Sequence, residues 1–215
     1  MTTEGIVKYR LEFSDGPAPD ATGTGALRAW QLICRRLELV GRDPARYGGC
    51  AYGNLSRRIA RRRFVISGTQ TAGHARPAPG DYTLVTEWSI TDNRVNAEGP
   101  CRPSSESLTH AALYERDPAI HFVIHVHSPE IWHAAAALGL PATDPDVPYG
   151  TPAMAEEVWR LFDHGDLGPA GVFAMGGHED GVVAYGNDAA SAGLPLIGLL
   201  AQALQHRGAE ANVRR

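Results

Sequence analysis

The chain has 215 residues, 43 % hydrophobic and 20 % charged. It is long enough to bury a substantial core and too apolar for a disordered chain. A formal net charge of −4 and a pI near 6.1 argue against a nucleic-acid partner. No apolar run approaches the ~20 residues of a membrane span, and no basic stretch followed by an apolar core opens the sequence. Cys34, Cys50 and Cys101 form no CxxC pair and are read as reduced thiols of a cytoplasmic protein.

Residues 5–13 alternate, with Val7, Tyr9, Leu11 and Phe13 on one face, which predicts a strand. Residues 14–25 are rich in Gly, Pro and Asp and predict a loop. A helix is expected from Gly25 to Gly41, carried by Leu27, Trp30, Ile33, Cys34 and Leu37. Short strands are expected at 51–55 and 63–67, and a strand pair at 84–90 and 94–97 across Asp92-Asn93. The cluster Arg57, Arg58, Arg61, Arg62 and Arg63 between them reads as a solvated turn and strand start, with an anion-attracting rim as the sharper reading.

Ser104 or Ser105 is expected to cap a helix running to about Arg116. Residues 121–127 predict a buried strand, and Pro129 opens a helix through Leu138. A loop at 141–148, a helix at 152–162, strands at 170–174 and 181–184 and a closing helix at 188–206 complete the chain. Gly193 and Pro195 should kink that last helix or delay its start. Several consecutive strands in the middle favour a mixed or antiparallel sheet covered by helices. Residues 1–24 are taken as an N-terminal extension of strand and loop, and residues 25–215 as a single domain.

The chemistry concentrates in Arg102-Pro-Ser-Ser-Glu106 and His125-Val-His127. Two histidines two apart on a strand face the same way and can reach one ion. His178, in a glycine-rich run, would be a third imidazole, leaving an open coordination position for substrate. A bare HxH is more often packed at a sheet surface, and Glu106 in a first helical turn is commonly a partner of the helix dipole. Together with His178 they point instead to a metal with a proton carrier beside it. His110, one turn after Glu106, could orient that carboxylate but reads more simply as a helix-face histidine. Gly53-Asn54-Leu55-Ser56 and Ser67-Gly68-Thr69 are polar turns that, with Ser104 and Ser105, offer donors suited to an anion. No GxxxxGK[ST] run is present, so that anion is not a nucleoside triphosphate.

In this order, Gly53-Asn54-Leu55-Ser56, Ser67-Gly68-Thr69, Arg102-Pro103-Ser104-Ser105-Glu106, His125-Val126-His127 and Gly176-Gly177-His178 resemble the class II aldolase/adducin family from about Gly25 to Leu204. The resemblance implies a three-layer α/β/α sandwich around a mostly antiparallel sheet. It implies a divalent metal, most often Zn2+ with Co2+, Mn2+ or Fe2+ as substitutes, held by His125, His127 and His178. It makes Glu106 the catalytic acid/base and Gly53, Asn54, Ser67, Gly68, Ser104 and Ser105 a phosphate cradle. It further implies a homotetramer acting on a small, phosphorylated substrate, with no nucleic-acid or membrane partner. The family's aldolases use tyrosines near the aldehyde end of the substrate, one close to the C-terminus. The tail here has none, and Tyr149 is nominated in that role. Glu179-Asp180 lengthen the loop after His178, so Asp180 could compete for the metal or support it.

The expected reaction is retro-aldol cleavage of a small sugar phosphate or related hydroxy-carbonyl compound through a metal-stabilised enediolate, to which Glu106 returns a proton. Epimerisation, dehydration, decarboxylation of a 3-oxo acid and metal-dependent oxygenation are rival reactions of such a site. A non-catalytic adducin-like binding module is the alternative of another class; the complete His125, His127, His178 and Glu106 set argues against it.

Overall fold

The computed structural model describes residues 5–168 and 170–213. The first four residues of the expected N-terminal extension and the last two of the chain lie outside the described residues. Among the described residues, ten strands and five α-helices alternate irregularly. They are β1 (Arg10–Asp15), α1 (Ala21–Arg36), β2 (Gly41–Arg42), β3 (Ala51–Tyr52), β4 (Asn54–Ala60), β5 (Arg63–Ser67), β6 (Tyr82–Ser89) and β7 (Arg94–Gly99). Then come α2 (Ser107–Arg116), β8 (Phe122–His127), α3 (Pro129–Ala134), α4 (Pro152–Asp163), β9 (Gly171–Ala174), β10 (Gly181–Gly186) and α5 (Ala189–Val213).

Eight strands make one sheet in the order β1-β7-β6-β5-β4-β8-β10-β9. Only the β1–β7 pairing is parallel; the other six are antiparallel. The segment expected as a strand from residue 5 thus pairs as edge strand β1 from Arg10 onward. Side chains alternate across the sheet. Val123 and Val183 pack into a core with Leu108, Leu113, Met154 and Val158 of α2 and α4. Ile124, Val126, Val182 and Ala184 pack into a second core with Leu27, Ile131 and Leu196 of α1, α3 and α5. The result is the three-layer α/β/α sandwich. Each fully buried aliphatic side chain in these cores contributes about 1.5–3 kcal/mol.

Several local expectations need correction: α1 ends at Arg36, before Gly41, and α3 stops at Ala134 instead of running through Leu138. α1 begins at Ala21 rather than Gly25, because the Asp20 carboxylate accepts from Gly23 N at 2.5 Å and caps the helix. Its buried stripe, Thr24, Leu27, Gln31 and Cys34, includes two polar residues that the apolar pattern could not reveal. α2 begins at Ser107, and neither Ser104 nor Ser105 is its N-cap. The Ser104 carbonyl is instead occupied by Ser107 Oγ at 2.7 Å and by the Tyr9 hydroxyl at 2.8 Å, which fold residues 104–107 into a separate turn. The closing helix starts on time and continues to Val213 with Pro195 inside it. Asp188 accepts from Ser191 N at 2.7 Å and starts this helix, and Pro195 lies beyond its first turn without ending it.

Candidate metal centre

β8 lies in the interior of the sheet between β4 and β10, and all six of its residues are buried. The two-residue period sends Val123, His125 and His127 to one face, with His125 and His127 toward the C-terminal end of the strand. β10 pairs with β8 so that Gly181 lies opposite His127. The turn leading into β10 therefore carries His178 to the same place. That turn is closed by His178 N to the Met175 carbonyl at 3.1 Å and Gly181 N to the His178 carbonyl at 2.9 Å. Gly177 is required there by space, since a Cβ would lie 2.0 Å from the Val147 carbonyl oxygen.

One ligand atom from each of His125, His127 and His178 lies within 4.8 Å of the other two, and all three residues are buried. Among the described residues this is the one compact cluster of histidine, cysteine or carboxylate side chains suited to a metal. An ion bonded at about 2.0–2.1 Å would bring those atoms to about 3.4 Å apart, a small closing movement. Neither ring nitrogen of His125 meets hydrogen-bond geometry with the protein. Burial drives the His125 and His127 pKa values well below the ordinary imidazole value, and the neighbouring His178 drives them further. A weak contact with the Val182 backbone opposes this at His125 and is the smallest effect. Both imidazoles are thus held neutral, the form that binds a cation. The donor set fits a divalent metal.

Glu106 sits at the turn entering α2, 1 % exposed. Its Oε2 accepts from Thr109 Oγ1 at 2.7 Å, and its Oε1 is 3.6 Å from His178 Nδ1. It is therefore adjacent to the histidines without belonging to their compact set. His110 does not orient it. The His110 Nδ1 bonds to Ser56 Oγ at 2.6 Å, and the same hydroxyl bonds to Tyr114 at 2.7 Å. Tyr149 stacks on the His178 ring, with centroids 4.3 Å apart and planes at 21°.

Asn54 is opposite His125 in the β4–β8 register and so shares its face. Gly53, Asn54, Gly68, Ser104 and Ser105 line one small recess together with Gly5, Thr69 and Gln70. The Asn54 side-chain oxygen, in a residue 6 % exposed, has no protein hydrogen-bond partner. Gly53 has φ +76°, and a Cβ there would meet Val40 at 2.5 Å, so this glycine answers a packing demand. Ser67 is placed differently. Its hydroxyl bonds across the sheet to Leu55 N at 3.1 Å and the Leu55 carbonyl at 3.3 Å, and it does not line the recess.

Three residues beside His127 escaped the sequence reading. The Tyr47 ring stands edge-on to His127 at 4.6 Å, and Tyr52 is tilted against it at 5.7 Å. The Tyr47 hydroxyl donates to Asp180 Oδ2 at 2.5 Å, and Arg46 Nη2 donates to that hydroxyl at 2.6 Å. Burial, then the Asp180 carboxylate, push the Tyr47 pKa far up. Tyr47 and Asp180 both adopt left-handed backbone conformations, φ 49° and 62°, a cost sustained by this contact. Asp180 is thus bound to Tyr47 and lies outside the compact three-histidine set. The available signal was position, for both tyrosines precede the Gly53-Asn54 turn that meets β8.

The arginine cluster lies away from this centre. Arg57 and Arg58 lie in the later half of β4, Arg61 and Arg62 in the turn after it and Arg63 at the start of β5, about 10–20 Å from Asn54 at strand rise. Arg58 is buried there, bound to the carbonyls of Tyr114 and Asp117. A cavity of about 850 Å³ is at that end, lined by Trp30, Arg57, Arg61, His121 and Asn187, and its lining does not include His125, His127 or His178. No helix among the described residues is long and apolar enough to cross a membrane, and all three cysteines are unpaired.

Residues 44–194 match the Class II Aldolase and Adducin N-terminal domain. A methylthioribulose-1-phosphate dehydratase of Gluconobacter oxydans is 34 % identical over 102 residues, 46 % of either chain. An L-ribulose-5-phosphate 4-epimerase, UlaF, of Salmonella paratyphi B is 33 % identical over 126 residues, 54 % of this chain and 53 % of that one. The matches thus span about half the length of these relatives. The structure of an L-fuculose-1-phosphate aldolase from Thermus thermophilus superposes with a TM-score of 0.63 at 19 % identity, covering 89 % of this chain and 97 % of that one. A sugar-phosphate aldolase from Thermotoga maritima gives 0.63 at 15 % identity, covering 89 % and 97 %.

Proposed function

Because the chain belongs to the class II aldolase and adducin family, we propose that it is a metal-dependent lyase that cleaves a small sugar phosphate by a retro-aldol reaction. The observation that carries this reading is the convergence of His125 and His127 of β8 with His178 of the turn entering the neighbouring β10, all buried, with the Glu106 carboxylate 3.6 Å from His178. Those histidines would hold the ion, and zinc suits three neutral imidazoles with one position left open. When bound, it supplies Lewis acidity that stabilises negative charge on adjacent substrate oxygens.

The protein's own groups do the rest. In the retro-aldol step the hydroxyl proton of the departing aldehyde passes to the Glu106 carboxylate as the C–C bond breaks, and the electron pair stays with the carbonyl-bearing fragment. Glu106 returns a proton to the carbon that received the pair. Thr109 holds the other carboxylate oxygen and fixes its direction. Asn54, Gly68, Ser104 and Ser105 receive the phosphate, while Gly53 shapes the turn and Ser67 braces Leu55. Binding energy from that remote group positions the reacting carbons. Tyr149, stacked on His178, borders the aldehyde end. The working form is read as a cytoplasmic homotetramer.

Loss of water or epimerisation of the same class of substrate is the second reading, favoured by the names of the relatives. Product analysis by NMR on a panel of ketose phosphates separates the three. Aldehyde plus a three-carbon phosphate supports the first reading; a dehydrated or epimerised product of unchanged carbon number replaces it. Glu106→Gln is expected to keep its metal and lose about 100-fold or more in turnover. Undiminished turnover in that variant removes Glu106 from its role.

A further inference from the structure

Lys8 is the only lysine among the 20 lysine and arginine residues of the chain. It lies outside residues 44–194, which match the family. The segment that carries it crosses the site. Ile6 N donates to the Tyr149 hydroxyl at 3.3 Å, Lys8 Nζ donates to the Tyr149 carbonyl at 3.1 Å, and the Tyr9 hydroxyl donates to the Ser104 carbonyl at 2.8 Å. Gly5 forms part of the recess wall. Residues 5–9 thus join the Tyr149 loop to the serine turn. The Lys8 ammonium is 3.6 Å from the centre of the Tyr149 ring, whose centre is 4.3 Å from that of His178. Those two distances keep the ammonium no more than 7.9 Å from the centre of the imidazole.

Two features separate this arrangement from a simple staple. The recess has a free volume of about 10 Å³, scarcely room for one water and too little for a phosphate. An anion therefore needs one wall of the recess to move, and Gly5 is the wall that this segment supplies. The ten residues lining the recess are all neutral. A phosphate dianion enclosed by neutral groups alone is costly, since a buried charge needs a charged partner. Arg42 approaches the recess through Gln70, whose side-chain oxygen it binds at 2.9 Å. Lys8 is the cation borne by the closing segment itself, a compact charge on a flexible stem that can change partners as the segment moves.

We infer that residues Gly5–Lys8, anchored by buried Tyr9 and by Asn93 Nδ2 donating to the Lys8 carbonyl at 2.9 Å, form a strap that opens to admit substrate, and that the Lys8 side chain, released from the Tyr149 carbonyl, is the group through which the reclosed strap recognises the substrate's phosphate. The inference rests on the phosphorylated-substrate reading above. It adds a specificity-determining residue from outside the matched region. Tyr149 is its docking partner, so one tyrosine couples strap closure to the position of His178.

The test uses the metal-loaded full chain and two probes, phosphoglycolohydroxamate and its phosphate-free parent glycolohydroxamate, with affinities from calorimetry. The wild type is expected to prefer the phosphorylated probe. Lys8→Met is expected to lose about 10- to 100-fold in affinity for it, the range of a charge-assisted hydrogen bond, and less than threefold for the parent; Lys8→Arg should keep most of the preference. In the wild type, reductive methylation followed by mass spectrometry should show the phosphorylated probe slowing modification of Lys8, with the chain's α-amine as reference. Unchanged discrimination in Lys8→Met, with Lys8 methylated at the same rate with or without probe, overturns the inference and leaves the phosphate reading standing. A lowered melting temperature without lost discrimination identifies a mere staple and also overturns it. A wild type that binds both probes equally removes the phosphate reading and the role of Lys8 together.

Discussion

Titration of His110 gives a stability effect whose size follows from its surroundings. His110 is fully buried on α2, and burial alone lowers its pKa from 6.5 to about 3. In the unfolded chain the same imidazole takes up a proton near pH 6.5. Below that value the unfolded state binds a proton that the folded state refuses, so stability falls as pH falls. The contribution is fully present above pH 6.5 and is lost progressively down to about pH 3. One pKa unit corresponds to about 1.4 kcal/mol, so at pH 5 the loss through His110 is about 2 kcal/mol. His125 and His127 add losses of the same sign in the metal-free protein. His110→Gln keeps a polar group for Ser56 and removes one titrating site. Urea denaturation of the metal-free wild type and variant at pH 7 and pH 5 should show the variant losing about 2 kcal/mol less. Equal losses would refute the claim that His110 is held neutral by burial.

Replacing Tyr47 by Phe keeps the ring against His127 and removes the hydroxyl bound to buried Asp180. The expected cost is about 1.5–3 kcal/mol, the value of a hydrogen bond to a charged group; urea denaturation with no change in midpoint contradicts it. Gly177→Ala places a Cβ 2.0 Å from the Val147 carbonyl oxygen and 2.7 Å from its carbon, so backbone must move. A destabilisation of about 1–3 kcal/mol and weaker zinc binding should appear together in melting and metal-titration experiments. Normal values of both show that the turn has room after all. Glu106→Gln, with metal retained and turnover lost, is checked by parallel metal analysis and product assays.

Much of the centre was legible because it depends on local periodicity. A two-residue spacing on a strand fixes the shared face of His125 and His127 whatever the surrounding fold. Asp92-Asn93 likewise marked the β6–β7 turn, where Asn93 takes φ 49°. The start of α1 was misplaced because Gly23 and Gly25 argued for a loop, while Asp20 and buried Thr24 and Gln31 decided for a helix. The serine turn before α2 was misread because its carbonyl partner, Tyr9, is 95 residues away in sequence. Lys8 with Tyr149 and Tyr47 with Asp180 are separated by 141 and 133 residues. Such pairings are products of the assembled sheet and leave no periodic trace.

The most direct measurement of the central claim is an anomalous-difference map from crystals of the zinc-loaded protein, collected on both sides of the zinc edge. One peak per chain is expected, bonded at about 2.0–2.1 Å to nitrogens of His125, His127 and His178, with Glu106 alongside. A peak elsewhere, or none with the three imidazoles turned apart, would contradict it.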